Sequence, residues 1–145
     1  MRDLASIVQP AVSIGPDSLD ADNTPIAIDR QGYDSLTYAI LVGVGGITFS
    51  GTNKVEFKLT HSDDNSTYTA VTDDDVLMPS GQTVGAGGIV RSLTAAHPAP
   101  SAVKIGYIGN KRYTKMLADF SGTHGTATPI AVTALLGHPA KGPVP

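Results

Sequence analysis

Few side chains in this 145-residue chain could do chemistry. Its four histidines are His61, His97, His124 and His138. None stands two or four residues from another, so no strand or helix face presents a ligand pair, and all four are expected in loops as solvated side chains. Cysteine is absent, which excludes disulfides, zinc–thiolate sites and thiol catalysis. Glu56 is the sole glutamate, so a glycosidase-like carboxylate pair would have to come from aspartates, Asp63 or Asp64 with Asp74. The acidic runs Asp63-Asp64-Asn65 and Asp73–Asp75 invite calcium. The EF-hand spacing fails when counted from Asp63: Tyr68 stands where the loop needs glycine, and Asp74 where it needs glutamate. Two readings of these acids stay open, an irregular surface calcium site and carboxylates that cap turns. Gly43-Val-Gly-Gly46 follows an apolar run, but the third glycine of a dinucleotide fingerprint would fall at Thr48 and no helical pattern follows. No nucleophile elbow, zinc-protease or phosphate-loop motif occurs. The expectation is a chain with no enzymatic activity, no metal and no cofactor.

The elements that would position any site read as strands. Gly 16, Pro 10 and 15 threonines favour strands and turns over helices. The sharpest alternation is Lys54–Thr60, with Val55, Phe57 and Leu59 inward and Lys54, Glu56 and Lys58 outward. An acidic loop, 61–66, leads to a partner strand at Thr67–Val71. Ser35–Gly43 places Leu36, Tyr38, Ile40 and Val42 on one face, with Ala39 and Leu41 drying the other, as in a central or covered strand. Ile26 and Ile28 open a short strand, Ile89–Leu93 makes another, and Thr128–Gly137 is the last, with Ile130, Val132, Ala134 and Leu136 inward. Val103–Ile108 and Thr114–Phe120 read as a β-hairpin closed by the four-residue loop 109–112, pairing Ile105 with Met116 and Val103 with Ala118. Residues 1–18, interrupted by Pro10 and Pro16, read as an N-terminal arm or edge strand. Residues 19–137 form the domain, and 138–145 leave as an extended tail. The expected fold is all-β: an antiparallel β-sandwich of the jelly-roll kind with extended N- and C-terminal arms, a small closed barrel being the second choice.

Charge narrows the function classes. Residues 1–80 hold twelve acids against four bases, a net of −8, and residues 81–145 hold one acid against six bases, a net of +5. Either the halves interleave and the charges mix, or the molecule has opposite poles. The overall charge of −3 and the scattered bases argue against nucleic acid. No apolar run is long enough to span a membrane. Met1-Arg2-Asp3-Leu4 lacks the layout of a secretory signal, so synthesis in the cytosol is expected.

Three stretches carry a family resemblance. They are Gly32-Tyr33-Asp34-Ser35-Leu36 before an apolar strand; Phe57 to Val71, a strand–acidic turn–strand unit; and Ile105 to Tyr113, followed by a strand and then Leu136-Gly-His-Pro139. In order and spacing these resemble the head decoration, or cement, proteins of tailed bacteriophages. Tyr68 stands where relatives often carry tryptophan. The resemblance implies a structural virion protein on the outer capsid surface, made in the bacterial cytoplasm. Its partner would be the major capsid protein, and a homo-oligomer, a dimer first, is expected. Contacts would come from the apolar arm with Leu4, Ile7, Val8 and Val12, from the loop 79–100, from the basic pair Lys111 and Arg112, and from the tail that begins His138-Pro139. The alternatives are a carbohydrate- or receptor-binding sandwich of a tail or baseplate, using Tyr33, Tyr68 and Tyr113, and a head–tail joining or tail-tube protein.

Overall fold

Alternation of apolar and polar residues gives each strand one dry face, and two sheets close those faces against each other. The computed structural model of the chain describes residues 3–144. Its strands are β1 (Val8–Leu19), β2 (Ile28–Asp29), β3 (Tyr33–Val42), β4 (Lys54–Ser62), β5 (Thr69–Ala70), β6 (Val76–Leu77), β7 (Ile89–Leu93), β8 (Ser101–Tyr107), β9 (Tyr113–Ser121) and β10 (Thr128–Pro139). Sheet A runs β1-β10-β3-β8-β6, and sheet B runs β2-β9-β4-β5 with β7 also paired to β4. Every pairing is antiparallel. Setting aside the short β5 and β6, the other eight strands counted in chain order pair as 1-8-3-6 and 2-7-4-5. That is the jelly-roll order, so the chain is an all-β antiparallel sandwich.

The inward residues meet in one layer. Leu36, Tyr38, Ile40, Ile105, Val132 and Ala134 of sheet A face Val55, Phe57, Leu59, Met116 and Ala118 of sheet B, all fully or nearly fully buried. Each large apolar side chain so buried contributes about 1.5–3 kcal/mol. Polar links also cross the layer. Tyr38 Oη and Thr114 Oγ1 are hydrogen-bonded at 2.5 Å, and Arg91 of β7 reaches the Ile40 carbonyl at 3.2 Å and Ser101 Oγ.

The expected hairpin is not formed. β8 pairs with β3 and β6 in sheet A, whereas β9 pairs with β4 and β2 in sheet B. Residues 108–112 arch from one sheet to the other, and Met116 pairs with Leu59 rather than Ile105. Two amphipathic strands in succession can hide their dry faces side by side or opposite each other, and alternation alone does not separate the two arrangements. The β4–β5 return, by contrast, pairs as expected, Thr60 with Ala70 and His61 with Thr69.

Residues expected as arm and tail lie against the sheet. β1 follows β10 from Val8↔Gly137 to Leu19↔Thr128, with bulges, and buries Ser13 and Ile14. β10 runs two residues past Gly137, Ala140 N–H donates to Gly32 O at 2.8 Å, and Val144 N–H donates to Ser6 O at 3.0 Å. The two halves of the sequence interleave. The pairs Asp29–Arg112, Asp63–Lys111 and Asp119–Lys58 each join an early residue to a late one, so the charge imbalance mixes in space.

Two edges are managed without a full strand. Along the free rim of β9, Asn23 Oδ1 accepts from Ala118 N–H at 2.7 Å and Asp22 Oδ1 from Phe120 N–H at 2.7 Å, so side chains stand in for a neighbouring strand. On the far rim of β4, β5 and β7 meet at a β-bulge between Phe57 and Lys58, where Leu59 N–H donates to Gly88 O at 2.9 Å. Gly88 has φ of +84°, and a Cβ there would lie 2.4 Å from the Leu59 carbonyl oxygen. Gly87 has φ of +76° with open space around it. Replacing Gly87 by alanine should therefore cost only the left-handed strain, about 1–2 kcal/mol. Gly88→Ala adds a backbone collision and should cost more, about 3 kcal/mol or above. Urea denaturation of the two variants checks this; equal losses would refute the close approach.

Candidate partner-binding surface

The two outer faces of the sandwich differ in kind. On sheet B, outward Lys54 pairs with Glu56 at 2.7 Å, Lys58 pairs with Asp119, and Lys115 sits 4.1 Å from the centre of the Tyr68 ring. On sheet A the outward positions of β3, β8 and β10 carry Ser, Thr, Ala, Leu, Pro and Gly, with Tyr33 at the start of β3 and Lys104 as their one charged residue. Register lays them in rows: Pro10–Leu135–Thr37–Gly106–Leu77, then Val12–Thr133–Ala39–Lys104, then Ala131–Leu41–Ala102. Val12 is 55 % and Leu41 45 % exposed. Toward the Pro129 end the face dips into a trough of about 670 Å³ walled by Pro16, Leu41, Pro100, Ala102, Pro129 and Ala131, with Asp17, Ser18 and Ser101 as its polar members. The outward positions of these strands thus carry a single charge, Lys104, with Asp17 of β1 added at the trough.

The residues nominated from sequence fall mostly at the opposite end of the same sheet. Leu4 is 66 % exposed, and Ile7 and Val8 are half-buried where β1 meets the end of β10. His138, exposed and held at φ of +51°, hydrogen-bonds through Nδ1 to Ser35 Oγ at 2.9 Å, and Pro139 pairs with Tyr33. Lys111 and Arg112 sit on the arch, their charges engaged by Asp63 and by a bidentate pair of bonds to Asp29 at 2.8 and 2.7 Å. The Arg112 guanidinium holds the Asp29 carboxyl below its ordinary range. Val12 stands midway along β1 and joins this end to the sparsely charged face. Of the trough residues, Pro100 lies at the end of the nominated loop 79–100, whereas Pro16, Leu41 and Pro129 are not among the residues nominated from sequence. The signal for Leu41 is the second dry face of β3 at Ala39 and Leu41, which reads equally as a central or covered strand.

Two histidines depart from expectation. His61 belongs to β4, not to a loop: it continues the inward series Val55, Phe57, Leu59 and is 6 % exposed. His138 lies in β10, and only His97 and His124 are in loops. Among the described residues no three histidine or acidic side chains gather as a metal cluster. The acidic runs serve their own turns. Asp64 Oδ1 accepts from Ser62 Oγ, Ser66 N–H and Thr67 N–H at 2.7, 2.8 and 2.8 Å. Asp75 caps Thr72, and Asp73 Oδ1 accepts from Val84 N–H at 2.7 Å. Gly46 N–H, in the loop once compared with a phosphate cradle, donates to Thr128 Oγ1 at 3.0 Å.

No protein-family model matches the chain, and comparison with curated proteins returns no match.

The Asp64 bonds, the Thr67 amide first, bring its carboxyl down to about 2. The turn it caps is therefore fully held above the ordinary value of 3.8 and released as pH falls through about 2. The Ser66 and Thr67 amide resonances should shift together with a midpoint near 2 in an acid NMR titration. A midpoint near 4 would show that the cap does not form.

Proposed function

We propose that the chain is a structural virion protein, a head decoration or cement protein of a tailed bacteriophage. It seats on the outside of the capsid and bridges major capsid subunits. The observation that carries this reading is the division of the two outer faces, one sparsely charged, with Lys104 and Asp17 its charges, and one paired and wet. A protein laid on a shell needs one adhesive side and one solvent side, and it needs no active site. The three sequence stretches that resemble this family support the same reading. The sparsely charged face of sheet A, extended onto β1 at Pro10 and Val12, is the side laid against the capsid. Modest contacts repeated over a lattice add through multivalency. The sugar-binding alternative has less support: Lys115 and Arg112 already occupy ring faces of Tyr68 and Tyr113, Arg112 at 4.8 Å.

The test uses capsids of the encoding phage that lack this protein. The wild-type chain should sediment with them. Val12→Asp combined with Leu41→Asp, both at exposed positions, should melt within a few degrees of wild type yet lose about tenfold or more in occupancy. Failure of the wild-type chain to bind would overturn the function. Undiminished binding of a folded double variant would overturn the choice of face.

A further inference from the structure

We propose that His61 is an acid-released latch on the arch 108–112, holding Tyr107 when neutral and turning to Asp75 when protonated. The geometry is a chain of contacts across the two sheets. His61, from β4 of sheet B, points inward and its Nδ1 lies 2.9 Å from Tyr107 Oη of β8 in sheet A. The rings meet edge to face at 5.9 Å. The same phenol oxygen accepts Lys111 N–H at 3.2 Å, and when Nδ1 carries no proton the phenol O–H donates to it. Asp75 Oδ1 waits 4.0 Å from Nδ1, while the Asp75 carbonyl holds Ile108 N–H and Gly109 N–H at 2.8 and 3.1 Å. Position 109 must be glycine: a Cβ would lie 2.6 Å from Tyr107 Oη and 2.9 Å from Asp75 Oδ1. The arch is thus packed directly onto the latch.

Protonation of Nδ1 puts two donors face to face, the imidazolium N–H and the phenol O–H. The phenol keeps its bond to His61 only by turning its own proton away and accepting a second hydrogen beside Lys111 N–H, whereas the Asp75 carboxylate is the stronger acceptor. A ring that turns to it leaves the phenol, and the Lys111 amide bound to that phenol, without their anchor on sheet B. The charged and titratable groups around the imidazole are Asp75 on the turn before β6, Asp63 after β4, Lys111 on the arch, Tyr107 on β8, and Arg30, whose guanidinium sits 5.2 Å over the Tyr107 ring. Tyr38 of β3 stands one link further off, through Thr114. Burial is the leading influence and pushes the His61 pKa down; Asp75 and Asp63 oppose it, and Lys111 adds to it. The sign follows: a histidine lowered in the folded state contributes fully above its ordinary value of 6.5, and that contribution is lost as pH falls below it. Opening would change the setting of Lys111 and Arg112, whose carbonyls Arg30 also holds, through Nε at 2.8 Å and its backbone N–H at 3.1 Å.

Hydrogen exchange of the full chain tests this, with rates corrected for the intrinsic effect of pH. Between about pH 7.5 and about pH 5, residues 108–112 should exchange about tenfold faster or more while β3 and β10 stay protected. His61→Phe, which keeps a ring but removes the acceptor, should exchange fast in this segment at both pH values. Should that variant not fold, an NMR titration of the wild-type imidazole decides. Its midpoint should lie below 6.5, and the Gly109 and Lys111 amides should follow the same curve. Acid-independent exchange of the arch, an acid response retained in His61→Phe, or arch amides that ignore the His61 titration would each overturn the latch.

Discussion

Everything in this fold depends on one dry layer between two sheets. Phe57, Leu59 and Met116 on one side and Tyr38, Ile40 and Val132 on the other exclude water completely. Each strand joins that layer through every second residue, so the layer fixes the register of every ladder around it. A slip of one residue in β4 would bring Glu56 and Lys58 into it, and the cost of burying unpaired charge forbids that. The chain has no disulfide to fall back on. Its loops are free to vary only where they do not reach this layer.

The layer also explains how the outer surface is divided. Once inward positions are committed to the core, the alternate positions decide what the molecule shows. Sheet B shows ion pairs and cations over aromatic rings; sheet A shows methyl groups, hydroxyls and prolines. The N- and C-terminal strands β1 and β10 both belong to sheet A, so Pro10 and Val12 extend the same sparsely charged surface instead of forming a separate patch. The basic pair on the arch belongs to the end of the sandwich, where Asp29 and Asp63 hold it.

The sequence made the strands legible and their partners only partly so. Lys54–Thr60, Ser35–Gly43 and Thr128–Gly137 announced both their existence and their inward residues, because alternation is a local property. The β8–β9 connection was misread because a hairpin and an arch place the same residues in the same dry environment. His61 was assigned to a loop because the polar run after it, Ser62-Asp-Asp-Asn, masked the continuing period of two. The candidate surface was half visible: Val12 and Leu4 stood out as apolar residues in a segment expected to be an arm or edge strand, and β1 is the edge strand of sheet A. Leu41 did not, since a residue facing outward on a central strand looks the same as one covered by its own fold.

The Asp22 and Asn23 bonds along β9 have a consequence for how this protein can associate with itself. Backbone amides that a neighbouring molecule could recruit are already spoken for, and carboxylate and carboxamide groups offer no repeating ladder to copy. That rim is a terminus for cross-β growth. An array that grew by strand addition would have to start from another edge, such as β1 of sheet A, because the capped Ala118 and Phe120 amides oppose lengthening sheet B past this margin.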